Sequence, residues 1–185
     1  MKTIITTLLL FLSACQPKSE TVTLNLSNQQ LEAIPDSVFS HANLDTLNLS
    51  SIYPGGWTIY PPLSALPQVM HKNGNRIKEI PASIGSLKNL RVLLISFNDL
   101  EYISPELAEL KKLEVLDISM NTKLQLEEIL PTLKRIKWLK CLNILDTNSD
   151  SISIAELRKA LPNTQIIATF NDLEFEVDST AAVLE

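Results

Sequence analysis

The chain is poor in the residues that usually carry chemistry. It has two histidines, His41 and His71, and two cysteines, Cys15 and Cys141, in 185 residues. No Cys/His spacing suits a metal site, so neither a metal nor another cofactor is expected. A nucleophilic Cys141 would need a base beside it, and none is suggested, so no catalytic residues are expected and the chain does not read as an enzyme. Four glycines are too few and too scattered for a phosphate-cradling loop. Positive charge is also lacking: the formal net charge is −5, which argues against nucleic acid as a partner. No apolar run reaches the about 20 residues needed to cross a bilayer.

What the chain does have is leucine, isoleucine and a polar amide in step, at an interval of 23 residues. With the phase set at Leu90, the run reads Leu90, Leu93, Ile95, Asn98, Leu100, Ile103, Leu107 and Leu110. One step on, it reads Leu113, Leu116, Ile118, Asn121 and Leu124. One step back, from Pro67, the second half fits through Asn75, Ile77, Ile80, Pro81, Ile84 and Leu87. Another step back, the first half fits through Leu44, Leu47 and Leu49. The earliest copy starts at Thr21 (Leu24, Leu26, Gln29, Leu31, Ile34, Pro35). A later one starts at Leu139 (Leu142, Ile144, Thr147). A period in the 20s marks a solenoid, in which stacked units share one core.

The pattern L-x-x-L-x-L-x-x-N-x-L, followed by x-x-I-P-x-x-I-G-x-L-x-x-L, resembles the leucine-rich repeat family. The stretch NRIKEIPASIGSLKNL carries its second half almost in full. The resemblance implies an α/β leucine-rich repeat solenoid: a curved right-handed coil, parallel strands on the concave face, turns and short helices on the convex face. Its domain spans residues 21–170, in about six units starting near 21, 44, 67, 90, 113 and 139. Residues 171–185 would form a cap and an acidic tail. Positions four and six of each unit lie two apart on a strand and face the same way. Leu24 with Leu26, Leu47 with Leu49, Leu93 with Ile95, Leu116 with Ile118, and Leu142 with Ile144 are therefore expected inside. By the same resemblance the ninth-position amides Gln29, Asn75, Asn98 and Asn121 would form a buried structural ladder.

The first residues, MKTIITTLLLFLSAC, read as a signal peptide over residues 1–14. Leu12-Ser13-Ala14-Cys15 resembles a bacterial lipobox. That resemblance implies a lipidated Cys15, a tether over residues 15–20 and anchorage in a bacterial cell envelope. The residue after Cys15 is Gln16 and not Asp, which points to the outer membrane if the source is Gram-negative. With Cys15 lipidated, Cys141 has no disulfide partner.

Solvent-facing strand positions follow from the phase. The third positions are Thr23, Thr46, Val69, Val92, Val115 and Cys141. The fifth are Asn25, Asn48, His71, Leu94, Asp117 and Asn143. The seventh and eighth are Ser27, Asn28, Ser50, Ser51, Ser96, Phe97, Ser119 and Met120. Among these, Asn25, Asn48, His71, Val92, Leu94, Phe97, Val115, Asp117, Met120 and Asn143 are the candidate concave binding residues, with an apolar patch at Val92, Leu94, Phe97, Val115 and Met120. The second positions Asp45, Arg91, Glu114 and Lys140 alternate in sign, which suits cross-strand ion pairs. Residues 52–74 break the pattern: Ile52 stands where an amide belongs, and Lys72 falls at an inward position, where an unpartnered charge is costly. Tyr53, Trp57 and Tyr60 there are candidate loop contacts, or Trp57 fills the core in place of an isoleucine. The basic run from Lys134 to Lys140 reads as the outer face of a helix or, alternatively, as a lipid contact. Ser153 with Glu156 resembles a capping box. Residues 165–170 read as a last strand.

Taken together, the expectation is a non-enzymatic, envelope-anchored protein that binds a macromolecule, most readily a protein, on its concave face. Two alternatives stand beside it: an immunity or inhibitor lipoprotein that neutralises a toxin or enzyme, and a structural or glycan-binding envelope protein.

Overall fold

A computed structural model of the chain describes residues 22–51 and 74–172. Short strands alternate with outer turns along a single coil. Six strands form one parallel sheet: β1 (Val22–Asn25), β2 (Leu44–Asn48), β4 (Val92–Leu94), β6 (Val115–Asp117), β7 (Cys141–Asn143) and β8 (Gln165–Ile167), in that order across the sheet. Between them lie β3 (Glu79–Ile80) and β5 (Tyr102–Ile103), which pair with each other on the outer side. A parallel pair needs a crossover, and here each crossover is the outer half of one repeat.

The outer halves change character along the coil. The early ones hold 3-10 turns at Asp36–Ser40, Ala82–Ser86 and Pro105–Glu109. The late ones hold α-helices at Leu126–Leu133 and Ser151–Ala160. Adjacent turns approach closely. A Cβ on Gly85 would stand 3.1 Å from the Glu106 Cβ of the next coil, so that position has little room for a side chain.

The core is a column of repeated leucines. Leu47, Leu93, Leu116 and Leu142 are 0% exposed and are partners in register across neighbouring strands. Each such side chain stabilises the fold by about 1.5–3 kcal/mol relative to exposure. At the amino-terminal end, Leu24, Leu26 and Leu31 are only partly buried against this core, because among the described residues β1 has a neighbour on one side alone.

The stacking alters the reading of residues 52–74. β2 pairs directly with β4, Asn48 opposite Leu94, with no strand between them. The repeat that opens at Leu44 therefore runs to Ser51 and resumes at Asn75, which occupies the ninth position expected of Ile52. The intervening residues 52–74 number 23, one full period, so the interval alone could not distinguish an insertion from a further coil. Of the unit expected to start at residue 67, the described residues form the outer half. Residues 53, 57, 60 and 71 lie outside the described residues, as does Cys15.

Three local expectations are corrected. The helix Ser151–Ala160 is capped by Asp150, whose carboxylate accepts from the N–H groups of Ile152 and Ser153 at 2.7 and 2.8 Å. Glu156 pairs instead with Lys134. The last strand ends at Ile167, and Phe170–Asp172 form a 3-10 turn. The basic run follows the helix Leu126–Leu133 instead of lying on it. Its Ile136 and Leu139 are buried, and Trp138 Nε1 donates to the Leu110 carbonyl at 2.8 Å.

Candidate functional site: the inner face of the sheet

Two rows of short polar side chains organise the inner side of the coil. The ninth-position row lies inside. Asn98 Oδ1 accepts from Ile77 N–H at 3.0 Å, and its Nδ2 donates to the carbonyls of Leu49, Ile95 and Ser96. Asn121 repeats the scheme one coil on, with Leu100 N–H as donor and the carbonyls of Ile95, Ile118 and Ser119 as acceptors. Asn75 does so across the inserted residues, accepting from Gln29 and Leu31 N–H and donating to Leu26 and Leu49 carbonyls. A primary amide is the side chain that can do both at once. Gln29 is not a rung. It is exposed, and among the described residues its Nε2 reaches only the Ser27 carbonyl at 3.3 Å. It stands in the first described coil, with no earlier one for its side chain to tie down.

The fifth-position row lies on the inner face. In four coils its side-chain oxygen accepts the N–H two residues on: Asn25 from Ser27, Asn48 from Ser50, Asp117 from Ser119 and Asn143 from Leu145, at 3.0–3.1 Å. This Asx turn bends the chain out of the strand. Leu94 is the exception in the row. The N–H that its side chain cannot hold, that of Ser96, donates instead to Ser50 Oγ of the neighbouring coil at 3.2 Å. Ser96 Oγ donates to the same atom at 3.0 Å. Ser50, Ser51, Ser96 and Ser119 are thus buried structural groups and not the solvent-facing residues expected. Asn48 and Leu94 are direct neighbours in this row, and His71 lies outside the described residues.

Val92, Leu94, Val115, Phe97 and Met120 are each half-buried. The apolar patch is therefore shallower than a row of fully exposed side chains. Phe97 and Met120 carry a further signature. They sit at φ 55° and 57°, in the left-handed region. The equivalent positions of other coils hold Asn28 at 55° and Asp146 at 54°, residue types that tolerate it. For a bulky side chain the conformation costs about 1–2 kcal/mol.

The electrostatics divide by row. At the strand entrances Asp45, Arg91, Glu114 and Lys140 form a ladder of ion pairs with N–O distances of 2.9–3.6 Å. Hydrogen bonds from Arg91 and Lys140 hold the Glu114 carboxyl below its usual range. These charges neutralise one another. Beside them Arg91, Lys111, Lys112, Glu114 and Trp138 line a shallow open hollow, with the Lys111 ammonium 4.1 Å from the Trp138 ring centre. On the inner face Asp117 differs. Burial pushes its carboxyl above the ordinary value, against the opposing pull of its Ser119 bonds. Burial also raises the Cys141 thiol, and the charge of Asp117 adds to that. Cys141 is half-buried. Among the described residues no cluster of His, Cys, Asp and Glu could hold a metal, and no helix is long and apolar enough to cross a membrane.

Residues 88–132 match a family profile described as leucine rich repeats in two copies. The fold is a leucine-rich repeat solenoid. A leucine-rich repeat protein of Leptospira interrogans superposes with a TM-score of 0.52 at 24% identity, over 80% of this chain and 37% of that one. The chain thus spans about a third of that relative, and the likeness is one of fold. The Arabidopsis receptor kinase HAESA ectodomain, solved in complex with a peptide hormone, gives a TM-score of 0.42 at 22% identity, over 74% of this chain and 19% of that one. The plant peptide hormone receptor RGFR1, in complex with RGF2, gives 0.44 at 22% identity, covering 74% of this chain and 22% of the receptor. No curated protein matches the chain. The leucine-rich repeat geometry gives the Asx turns, the buried serines and the entrance ladder a structural reason. It does not account for Leu94, Phe97, Met120 and the charge of Asp117.

Proposed function

We propose that the chain is a non-enzymatic, envelope-anchored protein whose leucine-rich repeat inner face binds another protein. The observation that carries this is the placing of Phe97 and Met120, bulky apolar residues in a left-handed conformation where other coils use Asn and Asp. Strain of that kind is retained at surfaces that do work. They adjoin Leu94, the residue for which the Asx turn of its coil is given up. A local concentration of apolar side chains on a sheet face is a protein-contact feature. The anchor rests on the lipobox-like Leu12-Ser13-Ala14-Cys15, and with it the envelope location. Neutralising a toxin or enzyme is one form such binding could take.

The test is photo-cross-linking from position 97 and from position 48 in intact cells. Adducts to one discrete protein from position 97 are expected. Adducts to glycan, or none from either position, would contradict the reading. Separately, Cys15→Ala should leave the membrane fraction, and unchanged detergent-dependent fractionation would remove the anchor from the account.

A further inference from the structure

The fifth-position row offers an internal control. Asn25, Asn48 and Asn143 show that a neutral amide makes the Asx turn in full, accepting the N–H two residues on at 3.0–3.1 Å. Asp117 makes the same bond from Oδ1 at 3.0 Å, with Ser119 Oγ donating to that oxygen at 2.6 Å. Its second oxygen takes no part in the turn. The negative charge is therefore additional to what the fold uses, and half-burial makes it unfavourable. No described residue supplies a compensating cation, since Asp117 takes part in none of the ion pairs among the described residues. The four charges at the strand entrances neutralise one another.

The second departure from the amide row is Leu94, and it lies directly opposite Asp117 on the neighbouring strand. An apolar surface and an unneutralised carboxylate thus stand side by side. That pair fits one kind of side chain: a long aliphatic stem ending in a cation.

We propose that Leu94 and Asp117 form a subsite for a lysine or arginine side chain of a protein segment bound across the inner face, the stem lying on Leu94 and the cationic head on the free oxygen of Asp117. This rests on the inner face being a protein-binding surface. A partnered carboxylate at such a contact is worth far more than an exposed one, because the flanking apolar groups exclude water. Leu94 contributes by covering the stem and Asp117 by discriminating against neutral and acidic residues.

The experiment is parallel selection of a random twelve-residue peptide display library on the purified repeat protein and on its Asp117→Asn and Leu94→Ser variants, with urea unfolding of each as the control for folding. Enrichment on wild type of peptides with a Lys or Arg among apolar residues is expected. Binding of those peptides should fall at least tenfold on Asp117→Asn, which unfolds at the same urea concentration as wild type or higher. Replacing the peptide's own Lys or Arg by Gln should cause a similar loss. Enriched peptides with no cation preference, or equal binding to Asp117→Asn, would overturn the subsite while leaving protein binding by the face intact. No enrichment on wild type would overturn the subsite as well, and, with binding on a glycan array, the protein-binding reading too.

Discussion

The ninth-position and fifth-position rows use the same small set of side chains for opposite ends. Asn75, Asn98 and Asn121 are 0–4% exposed, and both ends of each amide are engaged with backbone. Nothing of them is left for a ligand. In the fifth-position row the turn consumes one oxygen, and the rest of the side chain faces outward. The fold constrains the ninth-position row completely and the fifth-position row only in part. Function can therefore be written into the fifth-position row without unfolding the coil, provided any lost turn is compensated nearby. Leu94 with Ser50 is such a compensated exchange.

The contrast can be broken in several ways. Asn98→Leu should do the most damage, because it leaves the Ile77 N–H without an acceptor inside the coil and takes one of two donors from each of the Leu49, Ile95 and Ser96 carbonyls. A loss of roughly 3 kcal/mol is expected in urea unfolding. A wild-type midpoint would mean that the amide row is dispensable. Ser50→Ala removes the acceptor that stands in for the missing Asx turn, at about 1–2 kcal/mol. Here a double-mutant cycle sharpens the comparison. In a Leu94→Asn background the introduced amide can hold the Ser96 N–H itself, so the cost of Ser50→Ala should shrink by about 1 kcal/mol. Strict additivity would refute the claim that Ser50 covers for Leu94. The smallest effect belongs to the entrance ladder. Glu114→Gln breaks pairs with exposed Arg91 and Lys140, and its melting temperature should stay within experimental scatter of wild type at moderate salt. A large drop there would mean that the ladder, and not the amide rows, holds the strands in register.

Much of this architecture was legible in the sequence because period and side-chain alternation are properties of the chain itself. The leucine column follows directly from phase, and the rungs at Asn98 and Asn121 from the resemblance to leucine-rich repeats. Three things did not. The 23 residues from 52 to 74 preserve the phase, so a coil and an insertion give identical counts; only the direct pairing of β2 with β4 separates them. Gln29 has the right position but no earlier described coil to tie down, and sequence position does not reveal which neighbours are present. The serines at positions 50, 96 and 119 follow the strand, where alternation no longer governs, so a period of two places them outward although they are buried. Of the candidate site, the fifth-position residues could be named from sequence. Their shared Asx turn, which makes Leu94 and Asp117 stand out, needed coordinates. One signal was available: a leucine in a column otherwise made of Asn, His and Asp.

The claim that binds these observations is that the charge on Asp117 serves a partner and not the fold. Urea unfolding of wild type and Asp117→Asn across pH addresses it. Burial raises the folded-state pKa of Asp117 above its ordinary value of 3.8, so the folded chain holds that proton more tightly than the unfolded one. Its ionised form thus weighs against folding above the raised value, and the penalty is relieved as pH falls through it. An amide keeps both Ser119 bonds without the charge. The account predicts that the variant's midpoint at pH 7 matches or exceeds that of wild type, with any advantage narrowing as pH falls toward 3.8. A clearly lower midpoint for Asp117→Asn at pH 7 would show that the fold itself requires the carboxylate, and would contradict the account.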